Sequence, residues 1–166
     1  MNKRYFIEPS AGKLRSALAS WHWLELGERK PILVTAFADV FLRSPDAIWF
    51  LNTATGELEP VCRRRRELDK LLATPEGRLR YLMADLVDQA LQGGNRLDDG
   101  QSYDFKVHPA LGGAVEYANV ERRNFVVALH LRGQLHEQMH PGAPGGPMTP
   151  PAGADPPAKP VWWRMW

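Results

Sequence analysis

The chain carries one cysteine, Cys62, in 166 residues. One thiol makes neither an internal disulfide nor a multi-thiolate metal site, which points to a reducing, cytoplasmic setting. Long apolar runs are missing too: nothing approaches the roughly 20 residues of a membrane-spanning helix. The opening MNKRYFIEPSAGK lacks the apolar core of a secretory signal. There is no large excess of either charge. A formal net charge of +2 does not by itself indicate a nucleic-acid partner. No glycine-rich phosphate loop, Ser/His/Asp set or activated cysteine nucleophile is seen. The acids Asp39, Asp46, Glu57 and Glu59 fall in or beside turns, without spacing that argues for an acid/base pair.

What is present is an apolar fraction of 44%, enough for one good core. It is densest in residues 31–62, PILVTAFADVFLRSPDAIWFLNTATGELEPVC. Ile32–Phe37, Val40–Arg43, Ile48–Leu51 and Leu58–Cys62 are strand-length runs separated by turn chemistry, the pattern of an antiparallel β-meander. Pro45 suits the second position of a turn, and Gly56 can take positive φ before the next strand. Alternation places Ile48 and Phe50 on one face and Trp49 and Leu51 on the other, with Phe41 opposed to Val40 and Leu42. A sheet apolar on both faces needs cover on both.

The flanks supply candidate cover. Leu14, Leu18 and Trp21 or Trp23 follow helical spacing over Lys13–Trp23, with Ser10 as cap and Gly27 as stop. Trp21 and Trp23 read as the packing face of this helix, ahead of a binding anchor. A helical segment runs through Glu67–Leu72. A second starts at Thr74-Pro75 and carries Leu79, Leu82, Met83, Leu86, Val87, Ala90 and Leu91 to Gly93-Gly94. Residues 95–118 are loop-rich, with a strand at Tyr103–Val107. Asn119–Met139 alternates as a strand would through Phe125, Val127, Leu129 and Leu131, yet also traces a helical face; Asn119 as cap and Glu121 favour the helix. The expected organisation is a tail over 1–12, one α+β domain over 13–140, and a Pro/Gly-rich arm over 141–166 ending in Val161-Trp162-Trp163-Arg164-Met165-Trp166, a tip able to dock on the chain itself or on a neighbour.

Two motifs carry possible chemistry. Arg63–Arg66 is the single run of like charge; adjacent acids make it a solvated helix start, an acidic protein partner is the next reading, and a nucleic-acid contact the third. His136-Glu137-Gln138-Met139-His140 matches the HExxH string of zinc peptidases, which raises a metal-dependent hydrolase using His136, Glu137 and His140 as a rival function. Pro141-Gly142 ends the element at once and no third ligand follows, so a solvated helix end is favoured, with no metal and no cofactor expected.

Four strings, Pro31–Leu42, Ile48–Val61, Gly100–Gly113 and Phe125–Gln138, together resemble the C-terminal domain of bacterial type VI secretion immunity proteins that guard against a DNase effector. The resemblance runs from about Leu18 to Met139. Its Gly133-Gln134-Leu135-His136 string accounts for His136 without zinc. Longer members place another domain before this one, for which too few residues precede Leu18. The resemblance implies a non-enzymatic protein that binds and blocks a toxin. An interaction module of other purpose is the remaining alternative. Residue type and expected exposure nominate Trp49, Arg63, Arg64 and Tyr103 as toxin-interface anchors.

Overall fold

The computed structural model describes residues 3–140. The arm over 141–166 and its tryptophan tip lie outside the described residues. Five antiparallel strands in simple sequential order form the main sheet: β1 (Phe6–Ile7), β2 (Lys30–Thr35), β3 (Val40–Arg43), β4 (Ile48–Asn52) and β5 (Glu57–Cys62). The four expected strands are present within a residue or two. Residues 3–10, expected as a tail, instead contribute β1, paired to β2 through Phe6 with Thr35 and Ile7 with Val34, and the buried Tyr5.

Both hairpin turns behave as their residues dictate. Ser44 N–H donates to Ala47 O across the proline turn, and Gly56 has φ +74°. The β2–β3 turn falls earlier than the apolar run implied. Strand pairing stops at Thr35, and Ala38 takes φ +67°, uncommon for a residue with a side chain.

Alternation produces two cores on opposite faces of one sheet. Phe41, Ile48 and Phe50 belong to the first, with Leu68, Tyr81, Leu82, Leu86 and Val87. Phe41 and Phe50 have ring centroids 4.8 Å apart, and Tyr81 meets Phe50 edge-on at 5.0 Å. Val40, Leu42 and Leu51 belong to the second, with Ala17, Trp21, Phe125 and Leu129. Each such side chain, once fully buried, contributes roughly 1.5–3 kcal/mol, so neither cover is dispensable.

The second core is covered by α1 (Ala11–Leu18), its 3-10 continuation Ala19–Leu24, and a late helix described below. Ser10 caps α1 by accepting from Lys13 N–H. The first core is covered by α2 (Arg65–Leu71), α3 (Pro75–Leu82) and α4 (Ala84–Gln92). The apolar stripe expected to be one helix from Thr74 is therefore two. Met83 sits between them at φ +45°, a turn the stripe cannot reveal because burial on both sides preserves the apolar pattern.

A second sheet pairs β6 (Gln101–Phe105) with β7 (Val120–Asn124). The segment Asn119–Met139 resolves its own ambiguity by being both things in turn. Val120–Asn124 is strand; Asn124, not Asn119, caps the last helix, α5 (Phe125–Met139), accepting from the N–H groups of Val126 and Val127. No helix among the described residues is long and apolar enough to cross a membrane.

Candidate functional site

Two places concentrate polar chemistry, one inside the molecule and one at an end of the main sheet. The inner one is organised by Arg132, which is 3% exposed. It stands three residues after Leu129 and seven after Phe125, on the buried stripe of α5. All five of its N–H groups are used. Nε and Nη2 donate to Asp104 Oδ1 at 3.1 and 2.7 Å, Nη1 to Phe37 O and Thr53 Oγ1 at 2.5 Å each, and Nη2 to Tyr103 O at 3.1 Å. One side chain thus ties α5 to β6 and to two turns of the meander.

Asp39 closes the network from the other side. Thr53 donates to its Oδ1 from N–H and Oγ1, both at 2.8 Å, and Thr35 Oγ1 donates to Oδ2 at 3.4 Å. Burial raises the Asp39 pKa above the ordinary carboxylate value, against the lowering influence of Arg132 and these bonds. The positive φ at Ala38 lies in this same turn, between Phe37, whose carbonyl serves Arg132, and Asp39.

His136 belongs to this interior as well. It is buried, and Nε2 donates to Thr53 O at 3.1 Å, which leaves Nδ1 without its hydrogen. Gly56 lies directly against that ring, where an added Cβ would come within 2.6 Å of Nδ1. His108 stands edge-on to His136 with ring centroids 5.3 Å apart and accepts from Ala110 N–H through Nδ1. Burial, then Arg132 and His136, lowers the His108 pKa to about 4; burial lowers that of His136, with Thr53 O opposing.

This geometry gives the HExxH string another role. His136 points inward and is held by a backbone carbonyl, while His140 is exposed and packs its ring 5.2 Å from Trp23. Glu137 pairs with His22 at 3.1 Å. Among the described residues no group of three or more His, Cys, Asp or Glu side chains is placed to hold a metal. Gly133 of the neighbouring string serves close packing, since a Cβ there would lie 2.3 Å from Ser20 Oγ. Trp21 and Trp23, as expected of a packing face, send their indole N–H groups to α5 carbonyls, Leu129 O at 2.9 Å and Gly133 O at 3.2 Å.

The four nominated anchors divide. Trp49 is half-buried; its Nε1 donates to Ser44 Oγ at 3.2 Å, and the Arg29 guanidinium sits 4.2 Å from the ring centroid. Arg63 and Arg64 are exposed, with their backbone N–H groups donating to Glu67 Oε2 at 3.0 and 3.3 Å. Strand register puts these three at one end of the sheet: Ile48, next to Trp49, is paired with Cys62, which Arg63 and Arg64 follow. Tyr103 is elsewhere and was expected at the surface wrongly. It is 1% exposed, its OH donates to Asn95 O at 2.7 Å, and its ring packs 5.4 Å from Phe37, because β6 turns that side chain into the first core.

Sequence reasoning missed Arg132, although an arginine spaced with Phe125 and Leu129 on an otherwise apolar helix face is a readable sign of a buried charge. It also missed Lys30 and Arg43, whose proximity to Arg63 arises from pairing between strands and has no trace in linear spacing.

Comparison with known proteins bears on these observations in three ways. The family model described as T6SS immunity protein Tdi1, C-terminal, matches residues 63–136, which is the family that the sequence strings resemble. That match begins at Arg63, takes in α2 to α4 and the second sheet, and ends at His136 within α5. Among solved structures, the crystal structure of Atu4351 from Agrobacterium tumefaciens is similar in fold, with a TM-score of 0.53 and 19% identity over 80% of this chain and 68% of that one. No curated protein matches the sequence.

Proposed function

We propose that this protein is an immunity protein that binds a type VI secretion toxin and neutralises it by covering the toxin's active site or substrate groove, without catalysing a reaction itself. The observation that carries this reading is the match of residues 63–136 to a T6SS immunity family. The interior supports it. The histidines, carboxylates and arginine that an enzyme would aim at a substrate are here sealed in a network between α5 and the meander. A rigid sheet stiffened on both faces is a suitable platform for occlusion, because it presents surface residues without reorganisation on binding.

The anchors of the interface are Trp49, Arg63 and Arg64, residue types that dominate the energetics of such surfaces. The resemblance further implies a DNase as the toxin. The test uses the full chain as bait in its native host. The expected result is a single polypeptide recovered at equal stoichiometry, which degrades DNA and kills when expressed alone and is harmless when co-expressed. Recovery of the bait alone, or of a partner whose toxicity is unchanged by co-expression, overturns the proposal.

A further inference from the structure

At one end of the main sheet, the strand register gathers cations that are scattered in sequence. Lys30 opens β2 and lies directly opposite Arg43, the last residue of β3; Arg43 is opposite Ile48, and Ile48 is opposite Cys62, which Arg63 follows. At about 4.8 Å between strands, Lys30, Arg43 and Arg63 lie along a rim of about 15 Å. All three are exposed. Trp49 stands behind this rim under the guanidinium of Arg29, whose Nη1 is turned to the carbonyls of Glu25 and Leu26.

Two features of the rim bear on what it could bind. Several other exposed arginines have carboxylate partners, Arg4 with Asp88, Arg65 with Asp69, Arg80 with Glu59 and Arg122 with Asp98, while Arg15 and Arg96 are exposed without an ion pair among the described residues but stand apart from one another in sequence and element. Lys30, Arg43, Arg63, Arg64 and Arg66 have no ion pair among the described residues, and the carboxylate nearest the arginine run, Glu67, is taken up by backbone N–H groups. Like charges directly opposite on adjacent strands are destabilising, so the Lys30–Arg43 pair works against the fold. A like-charge pair held directly opposite, with three further arginines at the same end of the sheet that have no ion pair among the described residues, marks a place shaped by binding.

We infer that this rim is the docking surface for an acidic segment of the toxin, with Lys30, Arg43 and Arg63 receiving its carboxylates and Trp49 with Arg29 supplying the anchor. The inference rests on the immunity reading and assigns the chemistry of the partner's face. An acidic protein segment is favoured over nucleic acid because Trp49 has one ring face covered by Arg29 and its N–H committed to Ser44, which leaves it poorly placed to stack on a base.

The test compares the full chain with the triple variant Lys30→Glu, Arg43→Glu, Arg63→Glu and with a matched reversal elsewhere, Lys13→Glu, Arg15→Glu, Arg96→Glu. Each is titrated against the toxin recovered by the capture experiment, an oligoglutamate peptide and a DNA duplex, at about 50 and about 300 mM salt. The expected result is a loss of roughly a hundredfold or more in toxin affinity for the rim variant, with the control within about threefold, and slower association of the unaltered chain at the higher salt. Glutamine at the same three positions is the second variant, should the reversal disturb folding; a tenfold loss is expected there. Equal toxin affinity for rim and control variants overturns the inference while leaving immunity intact. So does a rim-dependent grip on the duplex with toxin binding unchanged. If capture yields no toxin, the immunity reading falls and the peptide decides the rim: rim-dependent peptide binding stronger than duplex binding supports it, and its absence overturns it.

Discussion

Arg132 and Asp104 form a fully desolvated ion pair, 2.7 Å from Nη2 to Oδ1 with 3% and 6% of their side chains exposed, and it joins the last helix to the second sheet. Removing one member of such a pair leaves an uncompensated charge in the interior, which costs about 3–5 kcal/mol. Arg132→Ala is therefore expected to lower the unfolding free energy by that amount, and Asp104→Ala to cost a similar amount. Arg132→Met combined with Asp104→Leu should recover a part, since neither member of this pair is then left facing the gap of the other, although the buried Asp39 loses Arg132 and Arg123 loses Asp104. Urea unfolding of the four proteins checks this. A loss under 1 kcal/mol for Arg132→Ala would show that the network is not holding α5 in place.

Gly56 and His136 exclude any side chain between them. At φ +74° an alanine is strained by about 1–2 kcal/mol, and its Cβ would press on the imidazole. Gly56→Ala should thus destabilise by more than backbone strain alone, and the excess should vanish in the His136→Ala background. A double-mutant cycle read by thermal or urea unfolding measures that coupling, with at least 0.5 kcal/mol expected.

The two histidines of the HExxH string should respond unequally to substitution. A zinc site would lose its metal with either one. In this structure His136 is buried and bonded to Thr53 O while His140 is at the surface against Trp23, so His136→Ala is expected to cost about 2 kcal/mol of stability and His140→Ala under about 0.5. Protein purified without an affinity tag is expected to hold well under stoichiometric zinc in all three forms. Stoichiometric zinc lost equally with either substitution would restore the hydrolase.

The meander was legible because each of its constraints is local: strand-length apolar runs, a proline turn, a glycine turn, and alternation that assigned Phe41, Ile48 and Phe50 to one core and Val40, Leu42 and Leu51 to the other. The break at Met83 was not, because an apolar stripe continues through a kink when both helices lie on the same core. The spacing predicts the start of α5 at Asn119, five residues before its cap at Asn124, for a related reason; both asparagines can cap, and only the pairing of Val120–Asn124 with β6 selects the second. Tyr103 shows the limit for surfaces, since its residue type suits an interface and its burial depends on where β6 lands. The rim of Lys30, Arg43 and Arg63 is the same limit seen from the other side, because strand register alone brings its members together.

The buried histidines set a pH dependence whose sign can be worked out. A base whose native pKa lies below its unfolded value takes up its proton less readily when folded, so acid favours the unfolded chain. For His108 the contribution is intact above pH 6.5 and is lost progressively down to about pH 4, where it levels off. At 1.36 kcal/mol per unit, the loss over that window is at most about 3 kcal/mol, and His136, lowered for the same reason, adds in the same direction. Asp39 acts oppositely, since its raised pKa lets the native state protonate first and softens the fall. The substitution that isolates the effect is His108→Asn, which keeps an acceptor for Ala110 N–H and removes the titration. Urea midpoints measured from pH 7 to pH 4 are expected to fall less steeply for this variant than for the unaltered chain. Parallel curves would mean that His108 does not govern the acid sensitivity of the fold.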